Sequence, residues 1–142
     1  MQNGQAYVGW ALLSALFAGI TAVLGKKGVE TVPSHLAVAI RVCFVLVFAV
    51  AMAIGLHQTN LSQVSKKAWT YLALSSVATG ASWLCYYRAL QLGPVSQVAP
   101  IDKLSFVLAL VFGVLFLKER PSSNVLMGAG LIVIGVLLTL KK

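Results

Sequence analysis

The chain has 142 residues, of which 59% are hydrophobic and only 10% charged. Soluble domains carry about 25% charged residues, so this composition argues against a water-soluble globular fold. The net charge of +8 could suit nucleic acid, but most Lys and Arg residues sit at the ends of apolar segments, where topology signals and headgroup anchors belong. Nucleic-acid binding is therefore not expected, and membrane lipid is the expected surrounding.

Five apolar segments follow in order: 7–25, 35–56, 69–88, 95–117 and 124–140. Each is near the roughly 17–25 residues that a helix needs to cross a bilayer. Runs such as LFAGITAVL and VCFVLVFAVAMAIGL are apolar all round, whereas transmembrane strands alternate with a period of two. Only a helix satisfies its own backbone within one segment in lipid. The expected fold class is an all-α membrane protein with five transmembrane helices, forming one domain over 1–142. Residues 1–6 carry no basic side chain, which does not fit a cleavable signal, so the first segment is read as a mature helix.

The first segment ends at Gly25, Lys26, Lys27 and Gly28, and its polar groups Ser14 and Thr21 are expected to bond back to the helix. Pro33 precedes the second segment and Ser34 can cap it. That segment leaves through His57, Gln58, Thr59 and Asn60. Lys66, Lys67, Trp69 and Tyr71 suit an interface at the start of the third. Gly93 and Pro94 separate the third and fourth segments, and Pro100 removes a backbone donor two turns into the fourth. Lys118, Glu119, Arg120 and Pro121 end it, and Ser122, Ser123 or Asn124 caps the fifth.

Short-loop Lys and Arg residues set orientation. The N-terminal side receives Lys66, Lys67, Lys118 and Arg120; the other receives Lys26, Lys27, Arg88, Lys141 and Lys142. The bias is weak, and a chain without a clear bias can insert both ways. Counting Arg41 and Lys103 tilts the balance towards a cytoplasmic C-terminus.

Arg41, Arg88, Asp102 and Lys103 gather in one half of the membrane on this topology. An ionisable group at that depth costs about 2.5–3.5 kcal/mol on insertion scales and should face protein or water. For Asp102 two readings stand: an ion pair with Arg41 or Arg88 that ties helices together, or part of a solvated site. Arg41 and Arg88 can also snorkel to headgroups. Lys103, next door, is expected to point away from Asp102. Trp83 and Tyr87 are four apart and share a helix face with Tyr86 nearby. They can line a solute cavity or form an interface belt. Gly128 and Gly135, seven apart, mark a helix-packing face.

No HExxH, P-loop, Gly-x-Ser-x-Gly or carboxylate pair is present, so no enzyme activity and no catalytic residue is expected. His35 and His57 fall at opposite ends of the second segment, and Cys43 and Cys85 read as small buried hydrophobes, so neither a metal site nor a cofactor is expected.

The run WLCYYRALQLGPVSQVAPIDKLSFVLALVFGVLFLKERPSSNVLMGAGLIVIGVLL resembles the EamA-type half of the drug/metabolite transporter superfamily. A Tyr-rich helix ends in Arg-Ala-Leu; after a turn, a helix is entered through a Pro; then come Leu-x-Lys-Glu-Arg and a glycine-containing helix. Arg41 early in the second segment also fits. The stretch PIDKLS at 100–105 looks like the short, single-repeat bacterial and archaeal members. The resemblance implies one five-helix unit of a fold whose common form has two inverted repeats. A single unit would then pair with an inverted copy. The chain departs from four-helix small multidrug resistance proteins, which carry an essential acid in helix one, because 7–25 has none. Their proton exchange is not carried over.

The expected function is an inner-membrane transporter subunit for a small solute, acting by alternating access as an antiparallel homodimer. Arg41, Trp83, Tyr87, Asp102 and Lys103 are the expected cavity or gating residues, with Arg88 available for ion pairing. The competing readings are a scaffold that binds a partner through Gly128 and Gly135, and a lipid-modifying enzyme. The latter is weakened because Glu30, Asp102 and Glu119 are the only carboxylates and none pairs with another.

Overall fold

A computed structural model of the chain describes residues 6–140, with side chains from Tyr7 onward. Residues 1–5, and Lys141 and Lys142 of the topology count, lie outside the described residues. The described residues are helical, with no strand among them: α1 (Ala6–Gly28), α2 (Ser34–Gly55), α3 (Lys66–Leu92), α4 (Val95–Asp102), α5 (Leu104–Leu117) and α6 (Ser123–Leu140). A short 3₁₀ turn, Leu61–Gln63, lies between α2 and α3.

Four stretches are long and apolar enough to cross a membrane: Tyr7–Gly28, Ser34–Gly55, Val95–Leu117 and Ser123–Leu140. The helix outside this group is α3. Its 27 residues would extend about 40 Å at 1.5 Å per residue, so its length suffices. Its composition is what differs, because Lys66, Lys67, Arg88, Gln91 and several Ser and Thr residues dilute its apolar character.

Helix ends follow local chemistry and correct several expectations. Ser34 does not cap α2. Pro33 takes that position, with its carbonyl accepting from Ala37 at 2.9 Å, and Ser34 is the first helical residue, 3% exposed. The fixed φ of Pro33 directs the chain straight into the helix. α2 ends in a Schellman motif: Gln58 N–H donates to Ala53 at 2.8 Å and His57 N–H to Ile54 at 3.0 Å. His57 takes the left-handed conformation there, φ 55°. The third helix starts three residues before the expected 69, because Ser65 caps it: its hydroxyl accepts from Ala68 N–H at 3.2 Å. α5 ends at left-handed Lys118, where Glu119 N–H reaches Gly113 at 3.2 Å. Ser122 begins α6 through its carbonyl, which accepts from Val125 and Leu126.

The expected helix 95–117 is interrupted at Lys103. Pro100 has no N–H for the helical ladder, and its ring crowds the carbonyl four residues back. Tighter bonds take over: Lys103 N–H to Pro100 at 3.0 Å and Phe106 N–H to Lys103 at 3.1 Å.

The chain divides into two compact units, residues 1–92 and 93–142. In the first, α3 packs on α1 and α2, and Ala22, Val29, Val38, Tyr87 and Leu90 are buried. In the second, α6 packs on α4 and α5, and Val98, Ala129 and Val136 are buried. These cores are thin. No more than 11% of the most apolar 18-residue window of any of the four spans is buried inside the chain, so their apolar faces turn to lipid or to another chain. Cys43 and Cys85, expected to be buried, are exposed free thiols. In a thinly packed membrane helix most apolar positions face outward, so a hydrophobic segment does not predict an interior position.

Candidate functional site

Arg41 lies seven residues into α2, about 10 Å along its axis at 1.5 Å per residue. At that depth a guanidinium needs a partner. α3 supplies two. The Arg41 guanidinium carbon is 4.3 Å from the centre of the Trp83 ring and 5.6 Å from that of Tyr87. Trp83 and Tyr87 are one turn apart, so α3 presents both to one side chain. The aromatic faces attract the cation through their quadrupoles. Tyr86 meets Tyr87 edge to face at 6.3 Å.

Beside this stack is a cavity of about 480 Å³. α1 contributes Thr21, Leu24 and Gly25; α2 contributes Ile40, Arg41 and Phe44; α3 contributes Tyr87. The walls are mostly carbon, and among the described residues Arg41 is the only charged side chain lining them. Gly25 makes the close approach possible. A Cβ there would lie 3.3 Å from the Tyr87 hydroxyl and 3.5 Å from Leu90, so a bulky residue would displace the ring.

The end of α3 is held to the α1–α2 connection by bonds that spacing could not suggest. Gln91 donates to Val32 O at 2.9 Å and to Val29 O at 3.4 Å, and accepts from Arg88 at 3.0 Å. Lys26 donates to Leu90 O at 2.6 Å. Arg88 thus engages Gln91, its neighbour one turn along, and with Lys26, Glu30 and Gln91 it lines a second cleft of about 430 Å³. Glu30 itself pairs with Lys27 at 3.1 Å. The sequence reading missed Gln91. Its partners are backbone carbonyls some sixty positions away, and no motif marks them.

Asp102 and Lys103 belong to the second unit. Lys103 Nζ lies 3.6 Å from Asp102, so the expectation that adjacency points them apart is corrected. Lys103 keeps right-handed backbone angles, φ −69° and ψ −11°, so the reach of its long, flexible side chain is what brings the ammonium to the carboxylate. Both remain open on the chain, 37% and 59% exposed. On α6, the buried stripe is Ala129 and Val136; a Cβ at Gly128 or Gly135 would meet nothing within 4 Å. Among the described residues, no group of three His, Cys, Asp or Glu side chains could hold a metal ion.

The EamA-like transporter family matches residues 5–141. An uncharacterised transporter from the cobO 3′ region of a Sinorhizobium species is 46% identical over 136 residues, 94% of this chain and 96% of that one. An uncharacterised protein of Methanocaldococcus jannaschii is 28% identical over 127 residues, 89% of this chain and 90% of that one. A probable 4-amino-4-deoxy-L-arabinose-phosphoundecaprenol flippase subunit, ArnE of Aeromonas salmonicida, is 38% identical over 68 residues, covering 48% of this chain and 60% of the subunit. No solved structure matches. With four apolar spans and a match along almost its whole length, this chain is a multi-pass membrane protein that belongs to the EamA-like transporter family.

Proposed function

We propose that the chain moves a small organic solute across the inner membrane by alternating access, as one half of an antiparallel homodimer. The observation that carries this reading is the Arg41–Trp83–Tyr87 stack at membrane depth, standing against a cavity of about 480 Å³. Solute pockets are concave, mostly apolar and furnished with a few polar groups, which describes this one. In the proposal all of 1–142 works as one unit, and α3 is the fifth span; the Thr70 and Ser76 hydroxyls donate back to the helix carbonyls of Lys66 and Leu72, which lowers the cost of carrying them into lipid.

The second copy is inferred from exposure. Asp102 and Lys103 lie in an apolar span yet stay open on the isolated chain. Charges at that depth do not face lipid, so a partner or a partner-enclosed aqueous path covers them. Gly128 and Gly135, open on α6, give such a partner a face of close approach. An odd number of spans and a weak charge bias suit insertion in both orientations. One relative is named as a subunit, which fits a single repeat that works with another chain.

Thermal melting of the purified protein in the presence of a solute library tests the transport reading. A stabilising solute is expected, and because Ala37 also lines the cavity on α2, Ala37→Phe should fill it and remove the effect. Stabilisation by no solute, or stabilisation undiminished by Ala37→Phe, would leave a non-transporting scaffold as the better account.

A further inference from the structure

We propose that the cavity of the first unit takes an organic anion: an apolar body with one carboxylate- or phosphate-type head that meets Arg41. This deepens the transport reading above and rests on it.

The whole chain has three acidic residues. Glu30 is the only one in residues 1–92, and it pairs with Lys27 at 3.1 Å. Asp102 has Lys103 at 3.6 Å. Glu119 follows α5, where its carboxylate lies 3.0 Å from the point a Cβ on Gly113 would occupy. Carboxylates are thus scarce, and the two that form ion pairs do so with lysines beside them. Arg41 is met by ring faces instead. An aromatic face attracts a cation without neutralising it, and the cation–π contact does not use up the five N–H donors of the guanidinium.

The charge therefore persists at the edge of an otherwise carbon-lined cavity. Among the described residues, the only other polar side chains lining it are Thr21 and Tyr87. An organic cation entering there would meet a like charge. A neutral solute would leave the charge unmatched. An anion would supply what the fold withholds, and the planar guanidinium fork suits a carboxylate or phosphate. The ring contacts also argue against simple snorkelling, because they hold the guanidinium against α3.

The test uses the full chain in phosphatidylcholine nanodiscs, titrated calorimetrically against empty nanodiscs. Three probes share one body: 4-phenylbutanoate, 4-phenylbutylammonium and 4-phenylbutan-1-ol. The carboxylate is expected to bind best. Arg41→Gln should weaken it roughly 10- to 100-fold, the range for losing a hydrogen bond to a charged group. Arg41→Lys keeps the charge, guards against a folding artefact, and should bind at an intermediate strength. Equal or tighter binding of the ammonium or alcohol, abolished by Ala37→Phe, would overturn the anion and leave the solute cavity standing. Binding by none of the three would overturn both. Undiminished carboxylate binding in Arg41→Gln would overturn the role of Arg41. Displacement of the carboxylate by added phosphatidylglycerol would assign the anion site to a lipid headgroup and overturn the solute.

Discussion

Arg41 joins a charge to a membrane-depth position through two aromatic rings, and this pairing has a measurable strength. Cation–π contacts contribute about 0.5–2 kcal/mol, more when shielded from water. Arg41 stands 4.3 Å from the Trp83 ring centre. Trp83→Leu should therefore lower thermal stability by an amount in that range, whereas Trp83→Phe retains a ring and should lose less. Equal losses from the two would show that ring volume, not the π face, matters. Gly25 sets a second residue-scale constraint. A side chain there runs into Tyr87 and Leu90, so Gly25→Leu should shift the Tyr87 ring and weaken solute binding. It adds bulk to a close contact, and overpacking of this kind costs about 1–3 kcal/mol. Solute binding equal to that of the native protein would show that Tyr87 does not wall the cavity. Asp102→Asn separates two roles: loss of transport at unchanged stability is expected from a cavity residue, and loss of stability alone from a structural pair with Lys103.

Among the helices, the ends carry the information. α3 is fixed by Gln91, whose amide spans to two carbonyls of the α1–α2 connection. Gln91→Leu removes those donors, and each net hydrogen bond is worth about 0.5–1.5 kcal/mol. Its melting temperature should fall, with faster hydrogen exchange confined to the connection and the end of α3. Pro100 interrupts the span between α4 and α5. Pro100→Ala restores a donor for the Ser96 carbonyl and removes the ring's clash with it, so the helix should run on through Lys103 and exchange at the Lys103 and Phe106 amides should slow as their bonds lengthen to the regular four-residue ladder. Unchanged exchange there would mean that something other than the proline sets the break.

These elements also show what sequence could convey. The apolar segments stood out because lipid demands long, self-satisfied helices, and segment boundaries came within a few residues. Trp83 and Tyr87 were legible as one face because they are one turn apart. The meeting of that face with Arg41 was not legible, because it depends on how α3 lies on α2. Ser65 was overlooked because two lysines separate it from the apolar run it caps. Pro100 signalled a disturbance, but the break lies three residues further on, at Lys103, where three-residue bonds run from Lys103 to Pro100 and from Phe106 to Lys103. Cys43 and Cys85 were misplaced because an apolar residue in a membrane helix satisfies lipid as readily as a core.

For the whole molecule, the limited burial within each unit and the open Asp102–Lys103 pair require a further surface. The proposed second copy, inverted in the membrane, would supply one, and the nearly even loop charges permit it. The most direct test is the location of the C-terminus, read by fusing a cytoplasm-active fluorescent protein, and separately a periplasm-active phosphatase, after Lys142. Comparable activity from both fusions is what the proposed insertion in both orientations predicts. Activity from one fusion alone would contradict the antiparallel homodimer and require an oppositely oriented partner chain or a role other than transport.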